Sequence, residues 1–299
     1  MLIVSYNISP KLKDNLYKIE IFRRKILLSP MSPKTELKLR WQGTFNKIRS
    51  CLRLSGNKLV RNDIVKLLSG NRNIKMSQEE KEVLKYKKAL DYITQNWLGS
   101  DKPVTSKSIL SLYQLTANGK LSKEKELEYL LSYLEAKKEN PIIQSAIVYT
   151  ELIKMQAFTK KNEVIPLLIS ILFLYKYGYD FKGFLAYENT WLEKNSLSLT
   201  LWLEEFSENV LKQIELIDQS VSKPNIILQD LSNSFWELNE RQKSVLAFLD
   251  NPNVVITNRN IQKWHKVSQI TSSRDLAKLT NLGFLFSHGK GRSVYYTKI

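Results

Sequence analysis

Apolar residues recur at helical spacing along nearly the whole chain before residue 237. The first clear example is Lys11–Leu28, which places apolar side chains at Leu12, Leu16, Ile19 and Ile26. A spacing of three or four residues predicts amphipathic helices, whereas strands would alternate every second residue. Proline-rich and glycine-containing breaks separate one such segment from the next. The sequence therefore predicts a mainly α protein, and its 299 residues suffice for more than one domain.

The last sixty or so residues, 238–299, have a different pattern. Three helical segments are followed by two short alternating runs, in the order Leu238–Asp250, Asn258–Lys266, Thr271–Leu282, Phe284–Phe286 and Val294–Thr297. We expect the third helix to begin at Thr271, with Thr271 or Ser272 as its N-cap. A glycine-rich basic turn joins the two runs and is typical of a hairpin. This order predicts a winged helix-turn-helix, with three helices and a β-hairpin wing.

The net charge of +17 is large for a chain of this length. Residues 1–100 hold 21 Lys and Arg against 8 Asp and Glu, residues 101–237 hold 15 against 18, and residues 238–299 hold 10 against 3. Basic ends around a slightly acidic middle favour a polyanionic partner such as nucleic acid. A charge that serves solubility alone is the alternative that composition leaves open.

The third C-terminal helix and the wing supply the candidate DNA-binding residues. Small polar side chains at a helix start can approach base edges in the major groove, and the free N–H groups there attract phosphate. Basic residues on flexible glycines can reach the DNA backbone. The predicted contacts are Thr271, Ser272, Ser273, Arg274, Lys278, Lys290 and Arg292. A winged helix that is structural or binds protein is the alternative at this point.

Two parts of the chain resemble the Fic family. The segments "LNERQKSVLAFL", "SQITSSRDLAKLTNLGFL" and "GKGRSVYY" resemble the winged helix appended to many Fic proteins. Ile142–Tyr179 resembles the central helix, loop and following helix that carry the family motif, His-Pro-Phe-x-Asp/Glu-Gly-Asn-Gly-Arg-x-x-Arg. The resemblance implies a Fic-like helical core and, for an intact motif, transfer of AMP from ATP to a protein hydroxyl.

The residues at the motif position depart from that pattern. Of the motif residues, Phe158 and Asn162 agree. Gln156 stands where the family has the catalytic histidine, and an amide cannot act as a base near neutral pH. Val164 and Leu167 stand where the family has its two arginines, so the phosphate contacts implied by the resemblance are missing.

Further departures affect the surroundings of the motif. Lys160 stands at the acidic position that holds magnesium in the family, and Lys161 and Glu163 replace its glycines. Ser55 occupies the position of the glutamate in the family's inhibitory helix. Between Leu115 and Leu127 the chain is too short for the β-hairpin flap that docks the target protein in the family. We therefore expect a degenerate site and no catalytic residues.

The sequence leads to one preferred interpretation. It predicts an N-terminal helical region of Fic-like type at 1–95, a degenerate Fic-like core at 96–222 and a winged helix-turn-helix at 238–299. The expected function is double-stranded DNA binding by a cytoplasmic transcriptional regulator, with the body serving dimerisation or ligand sensing. Neither a cofactor nor a metal is predicted, and no segment is apolar enough to span a membrane. An adenylyltransferase with an atypical site and a protein-interaction adaptor remain the alternatives.

Overall fold

The structure is a computed structural model that describes most of the chain. The described residues are 4–68, 75–137, 139–187, 198–222, 238–251, 254–289 and 291–298. We call the described residues up to 222 the helical body and those from 238 the C-terminal unit. Lys290 lies outside the described residues, and the side chain of Arg292 is likewise not described.

Nine α-helices make up the helical body over its described residues. In chain order they are α1 (Pro10–Leu28), α2 (Pro33–Leu54), α3 (Arg61–Leu68), α4 (Gln78–Trp97), α5 (Ser106–Thr116), α6 (Glu124–Lys137), α7 (Pro141–Met155), α8 (Ile165–Lys176) and α9 (Leu199–Ser222). A short 3-10 turn, Phe181–Gly183, follows α8. Local chemistry sets many helix starts: Ser77 forms a capping box with Glu80 at the start of α4, and Asn140 caps α7 just before Pro141.

The strongly apolar helix α8 lies at the centre of the body. All twelve of its residues are buried, in keeping with its continuous apolar composition. It packs against α7 and α4, while α1 lies along α9. The boundary expected at residue 95 falls within α4, and residues on both sides of it share one hydrophobic core. Among the described helices, none is both long and apolar enough to cross a bilayer.

The C-terminal unit contains three helices and an antiparallel hairpin. They are α10 (Glu240–Phe248), α11 (Asn258–His265), α12 (Gln269–Asn281), β1 (Leu285–His288) and β2 (Tyr295–Lys298). A separate small core includes Val245, Ile261, Leu276 and Leu279. Leu282 instead joins the core of the body, and Phe284 packs against both cores. The unit is therefore docked on the body at the end of α12.

Two details of the C-terminal unit differ from the sequence-based expectations. The N-cap of α12 is Ser268, whose hydroxyl accepts a hydrogen bond from the Thr271 N–H at 3.2 Å, so the expected caps Thr271 and Ser272 lie inside the helix. The apolar run 254–256, whose composition favours a short strand, forms a single bridge in which Ile256 pairs with Tyr296 of β2. Several Ser and Thr residues could cap this helix, and tertiary contacts decide among them.

Candidate functional site

The loop between α7 and α8, residues 156–164, carries the residues that resemble the Fic motif; we call it the motif loop. Gln156 ends α7 in a left-handed conformation with φ of 51°. Its backbone N–H donates to Leu152 O at 3.1 Å, and its side-chain amide donates to Ile153 O at 2.8 Å. Gln156 therefore acts as a helix cap, and its amide offers no base to a substrate.

Hydrogen bonds within the motif loop hold Phe158 and Asn162 together. The Asn162 side chain accepts from the Phe158 N–H at 3.0 Å and donates to the Phe158 carbonyl at 2.5 Å. The Phe158 ring is buried and lies edge-on to Tyr113, with 5.1 Å between centroids. The Tyr113 hydroxyl also accepts from the Lys160 N–H at 3.0 Å. The two residues that match the family motif thus stabilise the loop itself.

The short connection between α5 and α6 lies directly on the motif loop. Leu121 forms an isolated antiparallel bridge with Phe158, and the Ser122 N–H donates to Ala157 O at 2.9 Å. Residues 117–123 of this connection are all described and contain no hairpin. The expected absence of a flap is therefore a property of this segment, because seven residues are too few for two paired strands and a turn.

An ion pair connects the motif loop to α4. Lys161, with φ of 62°, places its ammonium group against the Glu82 carboxylate of α4 and 5.9 Å from the centre of the Tyr86 ring. Ser55 hydrogen-bonds the Tyr86 hydroxyl, which also donates to Glu82 at 3.2 Å. Burial raises the pKa of the Tyr86 phenol, so the hydroxyl stays neutral and able to donate.

The two positions at which the Fic motif has arginines lie in the hydrophobic core of the helical body. Val164 and Leu167 are both fully buried, so neither position borders solvent where a phosphate could reach it. Glu163 is exposed beside them and would repel a phosphate. At the positions of the family's base and arginines the structure thus has a helix cap and two buried apolar side chains, while Lys160 is exposed in the same loop.

The predicted DNA-binding residues on α12 differ in their exposure. Ser272 is fully buried, and its hydroxyl donates to Asn258 O at 2.9 Å, which anchors α12 to α11. Ser273 and Arg274 are exposed, and the Ser273 hydroxyl accepts from Asn258 Nδ2 at 2.7 Å. Thr271 and Lys278 are half-buried. Helical spacing indicates this difference, because Ser272 lies one turn before Leu276 and on the same face as Leu279.

The exposed face of α12 borders a groove of about 870 Å³, whose other wall is α4; we call it the α4–α12 groove. Arg274 and Ser273 line it from α12, and Lys87, Lys88 and Asp91 line it from α4. Lys87 is paired with Asp91 at 2.5 Å, whereas Lys88 is exposed. The docking of the two units places these lysines opposite Arg274.

Contacts between its own side chains stabilise the β1–β2 hairpin, which corresponds to the predicted wing. His288 stacks on Tyr295 with 4.9 Å between ring centroids, and its Nε2 is 2.8 Å from Thr297 Oγ1. The predicted wing residue Arg292 falls in the turn Gly291–Ser293. Contacts of the wing tip with DNA therefore remain predictions.

Comparison with known proteins identifies the architecture. No family model and no curated protein match the sequence. A Fic family protein from Desulfovibrio desulfuricans is similar over 100% of this chain and 98% of its own, with a TM-score of 0.55 and 13% identity. The chain has a Fic-like fold. A Fic domain containing signaling protein from Bacteroides thetaiotaomicron is similar over 70% of this chain and 98% of its own, with a TM-score of 0.55 and 14% identity.

A third similar structure, Fic-1 from C. elegans, covers 70% of this Fic-like chain and 71% of its own, with a TM-score of 0.54 and 15% identity. At these identities the likeness concerns the fold. It agrees with the expected mainly α architecture. The chemistry of the Fic-like body must be inferred from the residues of this chain.

Proposed function

We propose that this chain is a DNA-binding transcriptional regulator, with a winged helix as its C-terminal unit and a Fic-like body that no longer transfers AMP. The observation that carries the proposal is the positive charge in the α4–α12 groove. Arg274 and Lys88 are exposed on its two walls, while the acid in the groove, Asp91, is already paired with Lys87 at 2.5 Å. Uncompensated cations beside a helix start favour phosphate.

The arrangement of α12 suggests how DNA would bind. Gln269 and Ile270 form an exposed first turn, and Ser273 and Arg274 follow on the same accessible side. This part of α12 enters the major groove, with Ser273 and Arg274 near base edges or flanking phosphates. Lys88 on α4 adds a contact to the DNA backbone. Buried Ser272 takes no part, and the partner is cytoplasmic double-stranded DNA.

The remaining predicted contacts are secondary to this interface. Thr271 and Lys278 lie beside the exposed face of α12 and add backbone contacts at its edge. Lys290 and Arg292 extend from the wing to an adjacent phosphate or to the minor groove. These four contacts position the protein on DNA, whereas Ser273, Arg274 and Lys88 form the main interface.

Loss of AMP transfer is supported by how the motif loop is used. Gln156 caps a helix, Asn162 binds the Phe158 backbone, and Lys161 is engaged by Glu82. Each side chain already has a structural partner inside the protein. Loss of a general base alone lowers a rate by about 10²–10⁴-fold. We therefore assign the body a role as scaffold for the DNA-binding unit.

A salt-dependent binding assay on random and genomic duplexes tests the proposal. We expect Arg274→Glu and Lys88→Glu each to weaken binding and to lower the slope of log affinity against log salt by roughly one unit per phosphate contact. The matched control is Lys107→Glu on α5, an exposed lysine outside the groove that changes the net charge equally. If both groove variants match this control, or if the wild type has no affinity at low salt, the adaptor alternative replaces DNA binding.

The enzyme alternative needs a separate assay. The purified chain is incubated with magnesium and ATP labelled in its α-phosphate, alone and with candidate protein targets. We expect no labelled protein. Labelling that disappears in Asn162→Ala, while Asn96→Ala on the exposed side of α4 keeps it, would show that the motif loop is catalytic.

A further inference from the structure

A cavity of about 560 Å³ lies where the C-terminal unit docks on the Fic-like body; we call it the junction cavity. The body contributes walls from α1, α2 and α4 and from the segment after α8, while the C-terminal unit contributes the end of α12 and β1. The motif loop is not among these walls. The volume falls in the range of small-molecule sites, about 300–1,000 Å³.

Apolar side chains form much of the lining. Trp41 and Leu285 are buried at 2% and 1% exposure, and Phe286 lies beside Leu285 on β1. Leu27 and Leu98 also line the cavity and are exposed to 36% and 51%. Leaving two leucines in water is unfavourable, and an apolar ligand that covered them would be stabilised by burial of their surface. The occupant therefore needs an apolar body.

The charged residues that line the junction cavity are mostly paired. Arg40 contacts Glu36 at 2.8 Å, and Asp91 is paired with Lys87 at 2.5 Å. Asp180 is buried near the ammonium of Lys47. Asp180 has no ion pair within the described part of the chain; burial raises its pKa, while the charge of Lys47 and backbone N–H groups of the turn act in the opposite direction. A cationic ligand would therefore compete with partners that both acids of the lining already have within the protein.

Two donors of the lining stand out among the described residues. Lys182 is the one lysine or arginine of the lining without an ion pair, and Asn281 Nδ2 is the one lining side-chain atom that is fully buried without a hydrogen bond. A buried donor without an acceptor costs free energy that a ligand acceptor recovers. Two donors, one of them charged, match an anionic acceptor such as a carboxylate.

The backbone around Lys182 is held in a costly conformation. Phe181, Lys182 and Gly183 have φ of 50°, 60° and 83°, a region that non-glycine residues seldom adopt. Lys47 stabilises the turn by donating to Gly183 O at 3.0 Å, and Gly43 of α2 lies so close that an added Cβ would be 2.2 Å from the same oxygen. Strain of this kind concentrates at ligand sites because surrounding contacts must maintain it.

We propose that the junction cavity binds a small amphipathic carboxylic acid. Its apolar or aromatic body lies against Trp41, Leu285 and Phe286, and its carboxylate is bound by the Lys182 ammonium and the Asn281 amide. The site is separate from the motif loop and borders the α4–α12 groove, with which it shares Asn281. It does not depend on the proposed DNA-binding function, because its ligand can be measured without DNA.

Calorimetric titration of the full chain without DNA tests this site. The probes are 2-naphthoate and decanoate, each compared with its neutral amide, 2-naphthamide or decanamide. We expect at least one acid to bind with one site per chain and its amide to bind about tenfold more weakly, a difference of about 1.4 kcal/mol. Lys182→Met should reduce acid binding about tenfold and leave amide binding unchanged. Thr44→Phe, which fills the cavity from α2, should abolish both.

The matched control is Lys107→Met, which removes an exposed lysine outside the cavity and should bind the acids like the wild type. The proposal is overturned if neither acid binds at concentrations up to about 1 mM. It is also overturned if acid and amide bind equally, or if Lys182→Met and Lys107→Met have the same affinity. Circular dichroism of Thr44→Phe identifies misfolding, and in that case the Lys182→Met comparison decides.

Discussion

Replacing the buried carboxylate of Asp275 should loosen the C-terminal unit without affecting the body. Asp275 lies on the side of α12 that faces α10 and is 4% exposed. It accepts hydrogen bonds from Gln242 Nε2 at 2.7 Å, Arg241 Nε at 2.9 Å and Asn239 Nδ2 at 3.2 Å. All three donors belong to the start of α10. One side chain on α12 therefore connects the first and third helices of the unit.

The cost of Asp275→Ala follows from these contacts. Removing one partner of a buried ion pair typically costs about 3–5 kcal/mol because the other charge is left unpaired. The Arg241 side chain is 34% exposed and can turn to water, which favours the lower end. Gln242, at 3% exposure, cannot do so and loses its acceptor. We expect Asp275→Ala to lower the free energy of opening of the C-terminal unit by about 3 kcal/mol. This corresponds to a roughly hundredfold increase in its opening equilibrium constant.

Hydrogen–deuterium exchange read by mass spectrometry measures this opening locally. Peptides from α10 and α12 should exchange about a hundredfold faster in Asp275→Ala, while those from α7 and α8 stay unchanged. Asp250→Ala is the control, because Asp250 is 59% exposed and its surface pair with Lys298 is worth little. Equal exchange in the two variants would refute the assignment of Asp275 as the central contact. Faster exchange throughout the body would show that the two units open together.

Two further predictions concern the turn after α8. Burial lowers the pKa of Lys47 from 10.5 to about 8, although the charge of Asp180 acts in the opposite direction. Between pH 8 and 10.5 the unfolded chain therefore binds more protons than the folded chain. The free energy of unfolding should rise with pH over this range. Urea unfolding at pH 8 and 10.5 should show this rise in the wild type but a smaller one in Lys47→Met. Gly43→Ala should lower the free energy of unfolding by about 1–3 kcal/mol through its clash with Gly183 O, and Gln42→Ala on the exposed side of α2 should have little effect.

Much of the helical body could be predicted because its helix ends are set by local chemistry. Ser77 and Pro141 mark helix starts through capping and a fixed φ, and both effects act within a few residues. The burial of α8 followed from its continuous apolar composition. Helix α3, Arg61–Leu68, was not predicted, because eight residues make only about two turns and give too short a periodicity to recognise.

The candidate sites were predictable only in part, because they depend on tertiary docking. The loss of a base at Gln156 could be inferred from residue type alone. The pairing of Lys161 with Glu82 could not, since 79 residues separate them in the chain. The start of α12 was misjudged because Ser268, Thr271 and Ser272 are all acceptable caps. The burial of Ser272 could have been predicted, because it lies on the same helix face as Leu276 and Leu279, whereas its hydrogen bond to Asn258 could not.

The junction cavity and the α4–α12 groove have four lining residues in common, which links the two proposed sites. Lys87 and Asp91 of α4 and Thr280 and Asn281 of α12 line both. A ligand carboxylate that binds the Asn281 amide contacts the C-terminal end of α12. The first half of the same helix is proposed to contact DNA. Such coupling is reciprocal, so DNA binding must change ligand affinity by the same factor as the ligand changes DNA affinity. Taken together, the two proposals give the Fic-like body a way to transmit a signal through its contact with α12, and none of the residues involved belongs to the motif loop.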